Sequence, residues 1–297
     1  MDNTLQKKFA LLLGILLLLG VITCSAESIV PVGLIDSEPN KAVLVNYDVW
    51  YANNAAPEVA KIAGKTIFSS PRAAVMIRDA GKGAYIGPHF HSTTDEVVIV
   101  LAGSGEILLN GVWTPIKPGD VHVNPRGNIH ATTVGKSSDL KFISVFTPLI
   151  PASGDTNFLK DGQAPNIPQG LTDASPEQSV LVNYHEWYAA SAKPDEAKIA
   201  SKTIFTSPRA VVMIRDAGKG TYIAPHFHAT TDEVVVVLGG SGEIMVNGEW
   251  MPVKVGDVHV NPRGIIHSTQ VKGGCDLKFV SGFTPLIPPG GDTNFLE

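Results

Sequence analysis

The sequence predicts an all-β protein in which one small sandwich or barrel is built twice, and three observations lead there. Segments recur at a fixed offset of 137 residues, "VLVNY" at Val43 and again at Val180, "TPLIP" at Thr147 and again at Thr284. Apolar or alternating runs are short and are split by Gly and Pro, a texture of strands rather than helices. Asn110-Gly111 and Asn247-Gly248 sit between such runs, where a tight hairpin needs residues that tolerate positive φ.

In chain order, Lys7 and Lys8 precede an unbroken apolar run from Phe9 to Ile22 and small residues ending at Ala26, the layout of a secretory signal peptide over residues 1–26. Cleavage there gives a secreted or extracytoplasmic protein starting near Glu27. An uncleaved membrane anchor is the alternative, since the run extends to the roughly 17 residues that just span a bilayer. A lipid-modified Cys24 is a third reading, disfavoured by the bulky Thr23 before it. Residues 27–40 form a lead-in and residues 41–159 the first domain. Residues 160–177 are a polar linker rich in Pro and Gly, and residues 178–297 the second domain. The copies align without a gap as far as Leu159 and Leu296, which is duplication of a whole domain of roughly 120 residues. Within the first copy "AAVMIRD", "DEVVIVL", "GEILL", "DVHV" and "LKFISVF" are the clearest strands. "PEVAKIAGK" near Pro57, with Pro and Glu at its start, suggests a short helix.

At 297 residues the chain is long enough for two buried cores. A formal charge of -5 without a basic stripe excludes an electrostatic footprint for nucleic acid or anionic lipid. Membrane contact is therefore left to the N-terminal segment alone, if it is uncleaved or lipidated. Loss of the leader leaves Cys275 as the one cysteine, so an intramolecular disulfide is impossible in the mature chain.

His89 and His91 are two apart, so on a strand both imidazoles point to one face. Glu96 follows "STTD", a turn-like stretch that redirects the chain, and His130 comes 34 residues after it at the end of another strand. The second copy repeats the set as His226, His228, Glu233 and His267. A lone His-x-His is usually surface or satisfied core, but eight ligand-type residues at matched spacing in two copies outweigh that reading. Three imidazoles and a carboxylate suit one divalent transition metal per domain, Fe, Mn, Ni, Zn or Cu. They leave roughly one or two octahedral positions open to water or substrate. Closed structural sites favour thiolates, which this set lacks.

These residues resemble the cupin superfamily. Its first motif is matched by Gly83, His89, His91, Glu96 and Gly103, and its second by Gly119, Pro125, Gly127 and His130. The second copy matches through Gly220, His226, His228, Glu233 and Gly240, then Gly256, Pro262, Gly264 and His267. The final asparagine of the motif is replaced by Val134 and Val271, a position that is not a ligand. The resemblance implies two tandem small jelly-roll (double-stranded β-helix) barrels. It favours manganese or iron as the metal, and it makes an oligomer an open expectation, since cupin barrels often pair face to face.

Other residues near the motifs have two readings. Phe90 and Phe227 lie between the paired histidines and point to the opposite face, as core packing. His122 and His259 in "DVHVNP" either face solvent or, as the resemblance suggests, line the pocket in an acid-base role. Arg126 and Arg263 in "NPRG" are either exposed turn residues or bidentate donors to an anionic substrate. Among resembling bicupins, oxalate decarboxylases carry an arginine three residues before the first histidine ligand. Ile86 and Ile223 stand there in this chain, so oxalate chemistry is in doubt and a quercetinase-like or other dioxygenase is equally in view. Glu96 and Glu233 would serve as bases as well as ligands, beside His122 and His259. The competing class is a non-catalytic, metal-stabilised module that binds a sugar or another small molecule.

Overall fold

The structure is a computed structural model that describes residues 30–31, 33–54, 56–160, 171, 173–191 and 193–296. The leader expected over residues 1–26, Cys24 included, lies outside them. The first copy runs β1 (Val43–Asn46), α1 (Tyr47–Ala52), β2 (Ile62–Ser70), β3 (Ala73–Ala80), β4 (Tyr85–His91) and β5 (Asp95–Ala102). It continues β6 (Gly105–Leu109), β7 (Val112–Ile116), β8 (Asp120–Asn124), β9 (His130–Val134), β10 (Leu140–Thr147) and β11 (Thr156–Phe158). The second copy repeats this as β12 (Val180–Asn183), α2 (Tyr184–Ala190), β13 (Ile199–Ser207), β14 (Ala210–Ala217), β15 (Tyr222–His228) and β16 (Asp232–Gly239). Then follow β17 (Ser241–Val246), β18 (Glu249–Lys254), β19 (Asp257–Asn261), β20 (His267–Gln270), β21 (Leu277–Thr284) and β22 (Thr293–Phe295).

Each barrel is a six-stranded sheet closed over a five-stranded one. In the first the orders are β12-β8-β5-β10-β3-β2 and β11-β4-β9-β6-β7; in the second, β1-β19-β16-β21-β14-β13 and β18-β17-β20-β15-β22. The first strand of each copy thus sits in the other copy's sheet: Val43 pairs with Val260, and Val180 with Val123. The hairpins follow the turn chemistry, with Asn110 at φ 51° and Gly111 at φ 82° joining β6 to β7. Gly103 shows why its position is glycine: its φ is 84°, and a Cβ there would lie 1.8 Å from the Asp139 carbonyl oxygen.

The six-stranded sheets are buried on both faces, which explains strands that read as continuous apolar runs. In β5, Val97 and Ile99 join a core shared by both copies, with Val234, Val236, Val258 and Val260 from the second. Val98 and Val100 point the other way, into the first barrel's own interior with Ile107, Leu140 and Phe142. Buried ion pairs clamp the same interface. Arg72 meets Asp232 at 3.0 Å and Arg209 meets Asp95 at 2.9 Å, and both aspartates are fully buried. A buried carboxylate needs such a partner, because an isolated charge is costly to desolvate.

The helix expected near Pro57 is absent: Ala60 adopts φ 61° in a turn, and from Ile62 the chain is already β2, paired along β3. Tertiary pairing overrides weak helical propensity there. The short helix forms earlier, over "YDVWYA", where the Asn46 side chain caps it by accepting from the Asp48 and Val49 N–H groups.

Candidate metal centre

β4 carries His89 and His91, and β9 begins at His130, which the register places directly opposite His89. The His89 and His130 rings lie 4.2 Å apart, and His91 stands 5.3 Å from both. In the second barrel the separations are 4.2 Å for His226 and His267, and 5.2 Å from each to His228. Within each triad the ligating atoms all lie within 4.8 Å of one another.

The hydrogen bonds settle where the imidazole protons sit. His89 Nδ1 lies 2.8 Å from the Gly87 carbonyl, His91 Nδ1 3.3 Å from that of Asp155, and His130 Nδ1 2.9 Å from that of Asn128. A carbonyl only accepts, so each Nδ1 carries the proton and each Nε2 presents a lone pair. The Nε2 atoms of His91, His130, His228 and His267 are buried with no hydrogen-bond partner. Glu96 joins this cluster with Oε2 3.2 Å from His130 Nε2, and Glu233 stands 3.3 Å from His267 Nε2. Two acceptors held face to face repel unless a proton or a cation lies between them. Ligand atoms bonded to one metal at about 2.1 Å are about 3 Å apart when adjacent, so a divalent ion fits this donor set.

The electrostatics agree. Burial pushes His89 and His226 down to about 4 and also lowers His91 and His228, which keeps these rings neutral near pH 7. Burial opposes ionisation of Glu96 and Glu233, and what holds each below the usual carboxylate range is positive charge at the Nε2 of His130 or His267, supplied by a proton or by a cation bound there. The Asn124 amide donates to Glu96 Oε2 at 3.2 Å and the Asn261 amide to Glu233 at 3.0 Å, fixing both carboxylates.

His122 and His259 face the barrel interiors and are 3 % exposed, so the solvent-facing reading is wrong for both. Val121 and Val123 fill the shared core on the outer face of the sheet, and alternation then turns His122 inward, beside His89, Glu96 and His130. Burial pushes His122 down to about 4 and His259 to about 3, and one ring nitrogen of each is buried without a partner. Arg126 and Arg263 do not reach the cavities: Arg126 donates to the Leu171 carbonyl and Asp173, and Arg263 to Asp36. Phe90 and Phe227 are buried, as core packing requires.

Three supporting residues lie outside the histidine motifs. The Asp155 carboxylate accepts from the N–H groups of Ser92, Thr93 and Thr94 and from the Thr94 hydroxyl, locking the turn between His91 and Glu96. Asp292 does the same in the second barrel. The signal for them is "GDTNF", verbatim at Gly154 and Gly291. Arg215 is the third, lining the second cavity with Ile223, His226 and Glu233.

The cavities differ in size. The second is about 280 Å³ and reaches out to Phe295, whereas the first is about 40 Å³. Ile86 and Ile223 form aliphatic wall in each.

The model of the cupin domain family matches residues 76–146 and again residues 213–283. No curated protein matches this chain in sequence. Among solved structures, a cupin 2 conserved barrel domain protein from Leptotrichia buccalis superposes with a TM-score of 0.60 at 20% identity, covering 82% of this chain and 97% of its own. Salicylate 1,2-dioxygenase from Pseudoaminobacter salicylatoxidans, as adducts with gentisate, superposes with a TM-score of 0.61 at 17% identity, covering 82% and 81%. At such identities the likeness concerns the fold. With a cupin match on each ligand set and two barrels in tandem, the chain carries two cupin domains and is a bicupin.

Proposed function

We propose that this bicupin is a metalloenzyme, of dioxygenase type, acting on a small oxygenated organic substrate. The observation that carries the reading is the buried contact of two acceptors, His130 Nε2 with Glu96 Oε2 and His267 Nε2 with Glu233 Oε2, which a divalent ion satisfies. His89, His91, Glu96 and His130 would hold one ion, and His226, His228, Glu233 and His267 another. Manganese or iron is the favoured choice, and either would supply Lewis acidity at an open coordination position. The fold shared with a salicylate dioxygenase that takes gentisate adds support for an oxygenated substrate.

The chain's own groups complete the chemistry. His122 and His259 are neutral near pH 7 and turned into the cavities, so each would hydrogen-bond and orient a substrate hydroxyl, taking up its proton only if the bound substrate or metal raises the basicity of the ring. Asn124 and Asn261 hold the carboxylates of Glu96 and Glu233 in one orientation.

Metal analysis of the purified full chain, followed by oxygen uptake and CO2 release with hydroxybenzoates, catechols, flavonols and small acids, tests the reading. The expected result is one ion for each triad and oxygen consumption with at least one substrate class. A metal-free chain that folds normally overturns the proposal. CO2 release without oxygen uptake makes the enzyme a decarboxylase. Thermal stabilisation by a ligand without either makes it a binding module.

A further inference from the structure

Among the described residues Arg215 has no carboxylate at ion-pair distance, and it lines a largely apolar cavity. On β14, Val212 and Ile214 pack into the shared core, so alternation turns Met213 and Arg215 into the second barrel. The guanidinium has five N–H donors. Its contacts are Met213 Sδ at 3.3 Å, a weak acceptor, and the Phe283 ring, whose centroid lies 5.4 Å away. Its Nε is buried with no partner, and among the described residues no carboxylate lies within ion-pair distance of it. Glu233 acts on it only from farther off, and that carboxylate is already directed at His267.

A guanidinium that lines a cavity with donors to spare matches one ligand chemistry above others, a carboxylate accepting two parallel hydrogen bonds. Apart from the metal-site side chains, His259 and two threonines, the wall is apolar, with Ile199, Ile223, Val235, Ile244, Phe279 and Phe295, so it suits a ligand with a hydrocarbon or aromatic body. Size separates the barrels. A cavity of about 150 Å³ accommodates a benzene ring; the second cavity, at 280 Å³, exceeds that and the first, at 40 Å³, falls well short. Arg78 is the first barrel's counterpart, with Nε equally unpartnered and Met76 Sδ at 3.0 Å, but the small cavity does not extend to it. Among the residues lining the first cavity, the one whose identity changes in the second copy is Ile116, replaced by the smaller Val253.

We propose that the second barrel alone admits the substrate, that this substrate is a small monocarboxylate with an apolar or aromatic body, and that Arg215 anchors its carboxylate. The proposal rests on the metalloenzyme reading and names its substrate class and working barrel. It predicts that recognition of the acid is separable from the metal.

The test is calorimetric titration of the full chain, with and without bound metal, using benzoate and its neutral counterpart benzamide as probes. Expected are one benzoate per chain, benzamide at least tenfold weaker, and a loss of at least tenfold in benzoate affinity in Arg215→Gln. Arg78→Gln is expected to bind benzoate as the wild type does, and Val253→Ile, which copies the first barrel's residue, to bind it more weakly. Melting temperature and metal content of each variant guard against misfolding, and Arg215→Lys, keeping the charge without the fork, is expected to fall between. Two benzoates per chain, equal binding of benzamide, an equal loss in Arg78→Gln, or no benzoate binding by a metal-loaded chain overturns the proposal. The last of these leaves the metal reading standing. Benzoate binding through Arg215 by a chain that takes up no metal sinks that reading and leaves this one.

Discussion

Deleting Arg72 removes one side of a buried ion pair that joins the two copies. Arg72 donates from Nε to Asp232 Oδ2 and from Nη2 to Oδ1, both at 3.0 Å, a bidentate arrangement in which the aspartate is 0 % exposed and the arginine 11%. In Arg72→Ala the carboxylate keeps the Ser70 hydroxyl and the Arg263 N–H, two donors without a formal charge on the donating group. Breaking such a pair on one side costs about 3–5 kcal/mol, because the remaining charge stays buried. At about 2–4 °C per kcal/mol for a large domain, the melting temperature falls by roughly 6–20 °C. The assay is differential scanning calorimetry on metal-stripped protein, so that metal binding to the native state does not mask the loss. The double variant Arg72→Met/Asp232→Leu removes both charges and is expected to recover part of the stability, because apolar replacement of a buried pair is often neutral while the Ser70 hydroxyl and Arg263 N–H lose their acceptor. Arg209→Ala, the twin on the other side of the interface, is expected to match Arg72→Ala. A fall of less than about 2 °C in Arg72→Ala, worth under about 1 kcal/mol, would refute the claim that this charge pair is shielded from water.

Gly282 faces a void of about 20 Å³ between the barrels, lined by Val97, Val145, Val212 and Val280, and a Cβ there would meet nothing nearer than the Val211 carbonyl oxygen at 4.0 Å. Gly282→Ala is expected to stabilise the fold by about 0.5–1 kcal/mol in chemical denaturation, and a loss would count against the packing described. His89→Ala and His226→Ala are each expected to remove one metal ion per chain by elemental analysis, independently, because each triad is complete within one barrel. Loss of both ions from one change would show a shared site. His122, held at about 4, and His259, at about 3, stay neutral in the fold but take up a proton in the unfolded chain below the ordinary value of 6.5. Stability of the metal-free protein is therefore full above pH 6.5 and falls as pH drops from 6.5 toward 4, by about 3 kcal/mol per residue. Equal urea midpoints at pH 7 and pH 4.5 would contradict this, and His122→Gln should flatten the slope.

The ligand set was legible because strand alternation and a repeated spacing constrain side-chain direction without any knowledge of the partner strands. His122 was not, for the same alternation says only that it opposes Val121 and Val123. Which face looks inward depends on the second barrel covering the outer one. The strand exchange was hidden for a sharper reason. β1 and β12 are both "VLVN", and β8 and β19 are both "DVHVN", so every local pairing rule is satisfied equally within a copy or across copies. The choice is made by tertiary geometry, with Tyr47 N–H donating to the Gly256 carbonyl and Tyr184 N–H to that of Gly119. Arg215 escaped notice because "MIRD" reads as a half-buried strand with an exposed end. Its place in the cavity wall and the lack of an acidic partner among the described residues make it a site residue.

Duplication has left the two barrels alike in one respect and unlike in another, and the physics of each requirement explains why. Holding a metal depends on backbone register: His89 opposite His130, the Gly87, Asn128 and Asp155 carbonyls orienting the rings, and Asp155 locking the turn before Glu96. The register and the carbonyls belong to the fold, so a chain that keeps these histidines, Asp155 and the sheet pairing keeps the geometry. An ion bound across β4, β5 and β9 would also stabilise that barrel by binding the native state alone, whether or not turnover occurs there. Admitting a substrate depends instead on empty volume, which side-chain methylenes close without disturbing a single strand pairing. A change on the scale of Val253 to Ile116 leaves the register untouched and alters the space above the triad, so access can diverge between copies whose ligand geometry is the same.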